Sequence, residues 1–297
     1  MSGKRSTFSF CRVYLNFGIK MPHDIGFVTA QDGKPAHYQM LQKIKELAVR
    51  SGDWELLRED TSTKNHEIIL KGRGYSKQEE IFVGVRTYQN PQADYYNLAV
   101  ATFTGYVPSN PFDNQPSAVL SGVPAHNQRI DYWLTVNPQR IACCMKVGTP
   151  VYEHFYIGKF LPYARPSQCP YPVVCAGMLH GVPATRFSDT NHSFPYKGNR
   201  KNLAMRFNTG VYLNVECHPY NSSPLTSSRQ LRDTNGVYPL MPIILTDNNG
   251  IYGEFDGVRF VSGFDNVTEN MCGDDWVVLQ DVGRTGFNDY IALRLDK

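Results

Sequence analysis

The sequence predicts a mainly β protein of the α+β type, with antiparallel sheets forming sandwich-like lobes and one N-terminal amphipathic helix. Three observations lead there. Tyr and Phe are abundant, at 18 and 16, while charged residues supply only 19% of the 297, below the roughly 25% of an average soluble protein. Aromatic side chains suit a pleated, half-buried surface, and they also suit interfaces, where charge is depleted. Past Trp54, Gly, Pro and Asn repeatedly interrupt short apolar runs, the pattern of strands joined by tight turns. One stretch alone, residues 36–50, carries a clear helical period.

In that stretch Tyr38, Leu41, Ile44 and Leu47-Ala48 recur every three to four residues, with Lys43, Lys45, Glu46 and Arg50 on the opposite side and Gly52 as a stop signal. A single apolar stripe implies packing onto a sheet or a second helix. Strands follow at 66–71, 80–88 and 95–103, separated by Gly72-Arg73-Gly74 and Asn90-Pro91. A meander is expected over 131–137, 140–147 and 151–160, turning at Pro138-Gln139 and Gly148-Thr149-Pro150. The C-terminal part returns to strands at 243–246, 251–255, 258–261, 276–281 and 290–295. Asp247-Asn248-Asn249-Gly250 and Asp256-Gly257 are residues that accept positive φ cheaply, so a hairpin is expected at both. The stretches near 81 and 276 echo each other as strand, Arg-Thr turn, Asp-Tyr, strand, which is what two unrelated hairpins also give.

Residues 161–172 hold four prolines. Proline donates no amide hydrogen, so this segment reads as an extended connector or arm and not a central strand. Residues 217–242, rich in Ser, Asn and Pro, read the same way. Two lobes, 1–165 and 166–297, then meet near the connector, or the chain forms one continuous domain.

The net charge of +3 is too small an excess for a nucleic-acid groove, so specific nucleic-acid readout is not expected. No run of about 18 apolar residues is present, so no membrane span is expected. The basic start, Met1 to Arg5, is followed by Arg12 and Asn16, which breaks any secretory apolar core. Cys11, Cys143, Cys144, Cys169, Cys175, Cys217 and Cys272 are odd in number and irregular in spacing, as reduced thiols of a cytoplasmic product are. Neighbouring Cys143 and Cys144 point to opposite faces of a strand.

Catalytic patterns are sparse. Lys71-Gly72-Arg73-Gly74-Tyr75 completes neither phosphate-binding glycine motif. Cys169 with Cys175, and Cys217 with His218, lack the spacing that wraps zinc, and His180, His192 and His218 add no chelating pair. The Asp247–Gly250 stretch resembles a calcium loop in composition only. No nucleophile elbow, zinc-protease helix or kinase signature occurs. No catalytic residue, metal ligand or cofactor is therefore assigned, and the chain is not expected to be an enzyme. A dispersed carboxylate pair for glycoside cleavage is a three-dimensional fact that sequence does not reveal.

Several blocks resemble a family of virion proteins of tailed bacteriophages. They are EIFVGVRTYQNPQADYYNLAVATFTGYVPSNPFDNQPS, the meander with the prolines that follow it, and the end from YGEFDGVRFVSGFDN onward. The strongest part is ordered as Tyr132-Trp133, Asn137 to Ile141, Lys146 to Thr149, Tyr156 to Ala164 and Cys169-Pro170-Tyr171-Pro172. The similarity runs from about residue 38 to the end. It implies a particle component of the tail, neck, collar or baseplate, made in the bacterial host's cytoplasm and residing in the virion. Its partners would be copies of itself in a ring-like homo-oligomer and other virion proteins. No catalytic residue is transferred by it.

Contacts of that kind are expected from the two proline-punctuated segments, through Pro162, Tyr163, Arg165, Pro170, Tyr171, Pro172, Arg229, Arg232 and Tyr238. The stretch FSFCRVYLNFGIKMPHDIGFV, ahead of the similarity, reads as an extra strand or a docking arm. A carbohydrate-binding or carbohydrate-cleaving tail-tip protein is the alternative, with sugar rings stacked on aromatics. A head decoration protein is a third.

Overall fold

A computed structural model of the chain describes residues 23–148, 151–163, 165–177, 183–186, 195–197, 202–219, 239–262, 268–280 and 289–295. In chain order they form β1 (His23–Thr29), α1 (Ala36–Ser51), β2 (Trp54–Asp60), β3 (Glu67–Gly72), β4 (Ile81–Asn90), β5 (Tyr95–Phe103) and β6 (Val119–Pro124). There follow β7 (Arg129–Val136), β8 (Arg140–Lys146), β9 (Tyr152–Gly158), β10 (Leu161–Pro162), β11 (Val173–Ala176), β12 (Leu203–Arg206) and β13 (Tyr212–Leu213). The last strands are β14 (Glu216–His218), β15 (Met241–Asp247), β16 (Gly250–Ser262), β17 (Asn270–Cys272), β18 (Trp276–Gln280) and β19 (Asp289–Arg294). Strand accounts for 53% of the described residues and helix for 11%, with one α-helix among them, so the chain is mainly β, as its punctuation predicts.

The strands make three antiparallel sheets. The first runs β2-β3-β4-β5-β6, the central one β1-β7-β8-β9-β11-β12-β13, and the far one β14-β15-β16-β19-β18-β17, with β10 added beside β16. The central sheet takes strands from both sides of residue 165, and the chain leaving β9 crosses to the far sheet at β10 before returning to the central sheet at β11.

Both faces of the central sheet are covered. Ile130, Leu134, Ile141, Cys143, Phe155 and Ile157 belong to one core, with Ile68, Val83, Val85 and Leu98 of the first sheet. Ala142, Cys144, Tyr156, Val173 and Leu203 belong to a second core, with Ile243, Leu245, Phe255, Phe260 and Ile291 of the far sheet. A sheet buried on both faces has no need of a polar side, and β8 and β9 accordingly read Arg-Ile-Ala-Cys-Cys-Met and Tyr-Glu-His-Phe-Tyr-Ile-Gly, without alternation. Cys143 and Cys144 fall in different cores, as the strand period requires. The first sheet is also covered outside, where Phe112 packs on Ile69, Phe82 and Phe103.

α1 acts as a wedge. It buries Met40, Leu41, Ile44, Leu47 and Ala48 against β1 and β7 on one side and β2 and β4 on the other, while nearer β9 and β11 the first and central sheets meet directly. Its first amide, Ala36 N, is satisfied by Asn127 O at 2.8 Å, and it ends at Gly52, whose φ of 73° is the left-handed cap that glycine adopts without penalty. Tyr38 stands at the margin of the stripe, its hydroxyl donating to Lys64 O.

Two expectations are corrected. Arg86-Thr87 lies inside β4, and the turn comes later, at 91–94. A hairpin does form at 247–250, between β15 and β16, but Asp256-Gly257 sits inside the 13-residue β16. Asp256 is held there by partners distant in sequence, described below. Gly257 has φ 68°, and a Cβ on it would fall 2.3 Å from Arg140 Nη2, so the glycine makes room for a guanidinium and not for a turn.

His37 lies fully buried on α1, with Nε2 3.0 Å from Gln89 Oε1. Burial, outweighing the Gln89 hydrogen bond and helped by nearby His66, lowers its pKa from 6.5 to about 4. The unfolded chain therefore binds a proton that the folded one refuses between those values, so stability should fall as pH drops from about 6.5 toward 4, by about 3 kcal/mol if the whole shift is expressed. Urea titrations across this range check it, and His37→Phe should flatten the dependence.

Candidate functional site: a polar joint between three sheets, and the surfaces around it

The densest polar constellation lies where the β7–β8 turn meets the other two sheets. Asn137 folds that turn onto itself, its Oδ1 accepting from Gln139 N at 2.9 Å and Arg140 N at 3.0 Å. Its carbonyl accepts from Trp54 Nε1 at 2.8 Å, which ties in β2. Its Nδ2 donates to Asp256 Oδ2 at 2.7 Å and to Tyr75 Oη at 3.0 Å.

Asp256, 1% exposed, is the centre. Its Oδ2 also accepts from Tyr75 Oη at 2.7 Å, its Oδ1 from Arg294 Nη2 at 3.0 Å, and its carbonyl from Arg140 Nε at 3.0 Å. Arg140, fully buried, also donates to Thr135 Oγ1. Burial would raise the Asp256 pKa, yet Arg140, Tyr75, Arg294 and Asn137 together hold the carboxyl below its usual range. Tyr75 moves the other way, its phenol pushed up by burial and by the Asp256 carboxylate. The rim adds Gly74 N donating to Pro138 O at 3.1 Å and an ion pair between Lys159 and Glu79. An ionised carboxylate whose lone pairs are taken by a phenol, an amide and a guanidinium serves as a fastener.

Three further places could bear chemistry. Cys144 Sγ lies 3.4 Å from His154 Nε2, a thiol–imidazole distance, but both residues are sealed between the central and far sheets at 0% and 1% exposure. A cavity of about 330 Å³ opens beside α1, lined by Lys34, Tyr38, Gln39, Gln42, Glu59 and His66 among others. There the rings of Tyr38 and His66 stack at 4.0 Å, and Glu59 is kept ionised mainly by Lys45 Nζ at 2.8 Å. The Asp247 turn is internally satisfied, its carboxylate accepting from Asn249 N, Gly250 N and Tyr252 Oη. Among the described residues, no group of three His, Cys, Asp or Glu side chains is placed to hold a metal ion, and no helix is long and apolar enough to cross a membrane.

The residues expected at interfaces fall in two places. Pro162 pairs with Gly253 in β10–β16, where Leu161 O approaches so closely that a Cβ on Gly253 would meet it at 2.1 Å. Tyr163 is 55% exposed, its N–H donating to Tyr252 O at 2.9 Å and its hydroxyl to Glu254. Arg165 is exposed, Pro170 half-buried and Pro172 buried. Tyr171 belongs to a different spot, at the far edge of the central sheet, where Arg206 lies 5.6 Å from its ring and 5.3 Å from that of Tyr212. Arg229, Arg232 and Tyr238 lie outside the described residues, as do Cys11, His180 and His192. Of the Cys217–Pro242 segment, Cys217 is buried in β14 and 220–238 lie outside the described residues.

Sequence reading misses the joint. The signal is Asn-x-x-Arg in the meander, but Tyr75 and Asp256, the partners of Asn137, are 62 and 119 residues away, and Arg294 enters only through Asp256. It also leaves the stretch ending in β1 unassigned between strand and arm, although Ile25 and Phe27 alternate there with Asp24, Gly26 and Val28.

Removing the Asp256 carboxylate would strip the anion from beside the fully buried Arg140 guanidinium and from Arg294, so Asp256→Ala should cost about 3–5 kcal/mol, read as a lowered denaturation midpoint. Tyr75→Phe, which removes one donor of several, should cost about 1 kcal/mol.

No protein-family model matches this chain, and no curated protein matches it.

Proposed function

We propose that this chain is a structural subunit of a tailed-bacteriophage particle, in the tail, neck, collar or baseplate, which works by packing against copies of itself and neighbouring particle proteins. It transforms no substrate. The observation that carries this is the placing of its side chains. The strongest polar groups hold one another inside the joint, while Ile25, Phe27, Tyr163, Val211, Tyr212 and Ile251 stand in solvent at sheet edges and hairpin ends. Exposed apolar and aromatic side chains beside arginine are the material from which interface centres are made. The sequence blocks similar to phage virion proteins supply the particle. The subunit would be made in the host cytoplasm and reside in the particle.

A second reading, carbohydrate binding or cleavage at a tail tip, is favoured by the cavity beside α1. A stacked Tyr38–His66 pair with Gln39, Gln42 and Glu59 around it offers a ring face and hydrogen-bonding groups to a sugar.

Peptide mass spectrometry of purified particles is expected to find this chain in multiple copies, and particles made without it should be incomplete. Complete, infectious particles lacking the chain would sink the proposal. Binding on a glycan array that is lost in Tyr38→Ala would move the assignment to the second reading.

A further inference from the structure

Sheet edges are normally made poor templates by shortness, charge, proline or bulges. Among the described residues, five of the six strands that end a sheet follow that practice. β13 has two residues, and β14 and β17 have three each. β2 is broken by a register shift between Leu56 and Arg58 and carries Glu55, Arg58, Glu59 and Asp60. β6 ends on Pro124. β1 does not: its seven residues pair with β7 in unbroken register, and no described strand lies on its outer side. Its one carboxylate, Asp24, is engaged by Tyr132 Oη at 3.1 Å.

The direction of the β1 backbone groups follows from two hydrogen bonds. Asn137 N donates to Arg140 O, and Ala30 N donates to Gln128 O. Residues along an antiparallel strand alternate between their two neighbours, so odd residues of β7 face β8, even ones face β1, and Asp24, Gly26 and Val28 are the β1 residues bonded to β7. The N–H and C=O of Ile25 and Phe27 therefore point outward. The side chains of the same two residues are 45% and 56% exposed.

We infer that β1 pairs with β1 of a second copy of this chain, antiparallel about a twofold axis at Gly26. The inference rests on the reading of the chain as an assembly subunit and names a partner for one of its surfaces. In this register Ile25 lies opposite Phe27 of the second copy, and Phe27 opposite its Ile25, each pair exchanging backbone hydrogen bonds and joining apolar side chains. Asp24 falls opposite Val28, so no like charges meet. Arg129, stacked 4.1 Å from the Phe27 ring, is neutralised by Asp131 at 2.7 Å, so the contact brings no bare cation against its symmetry mate. Such an isologous contact closes on itself. It joins two central sheets into one.

The full-length wild-type chain is expected to show twice its single-chain mass by light scattering. Ile25→Pro deletes an outward N–H and leaves the β7 ladder whole, so it should give single-chain mass with the melting temperature kept. Gly26→Cys, made together with Cys272→Ser, places two cysteines opposite each other at a non-hydrogen-bonded position, where side chains come closest. A Cβ there meets Tyr132 Oη at 3.4 Å, an ordinary contact. Mild oxidation should link the introduced thiols of two copies to each other, and Thr29→Cys in the same background should not link to itself.

An oligomer that survives Ile25→Pro and yields no such link overturns the pairing while leaving the assembly reading intact. A wild-type chain of single mass, with no link between the introduced thiols, also overturns the pairing; if the chain is absent from particles as well, the assembly reading goes too. A disulfide mapped between the introduced thiol and Cys11 would give the edge to the chain's own first residues, and likewise overturns it.

Discussion

The carboxylate of Asp256 is where three sheets converge, and the geometry of each depends on the others at that point. Asn137 closes the β7–β8 turn and reaches Asp256; Tyr75 reaches it from the first sheet; Arg294 and Arg140 approach it from the far and central sheets. A buried ion is expensive unless every lone pair is satisfied, and a network that is fully satisfied admits few alternative arrangements. Here that requirement fixes how the layers sit together at one end. Elsewhere apolar burial is joined by a few polar ties between the central and far sheets, from Lys146 and Tyr152 to Glu269 and from His154 to Gln280 O.

Among the described residues, both faces of the central sheet are covered and the polar groups of the joint are turned toward one another. Cys144 and His154 illustrate it, close together yet enclosed. Toward solvent the described residues present an unbroken strand edge at β1, the Arg206 stack at the opposite edge of the same sheet, the Tyr163 connector on the far sheet and the cavity beside α1. In the proposed assembly, these apolar and aromatic margins are the surfaces that neighbouring polypeptides would cover.

Much of the secondary structure is legible in the sequence because its causes are local. The α1 stripe, the left-handed stop at Gly52 and the turn at Pro138-Gln139 all follow from nearby residues. Asp256-Gly257 reads as a turn because Asp and Gly have the same local chemistry in a hairpin as beside a buried arginine, and the arginine is 116 residues distant. The proline-rich connector is rightly placed outside the sheet centres, yet nothing local distinguishes the buried Pro172 from the open Tyr163. Of the joint only the Asn-x-x-Arg pair stands out in sequence, since Tyr75 and Asp256 are ordinary surface residue types until the fold brings them to Asn137.

If the chain acts by mating its surface with other polypeptides, its exposed apolar edge must be covered in the assembled particle. The most direct measurement is a reconstruction of the intact particle at a resolution that separates strands, with this chain fitted into the density. The account predicts repeated copies, with Ile25 and Phe27 covered by a neighbouring polypeptide. A chain that has no density in the particle, or that sits there singly with those residues open to solvent, would contradict it.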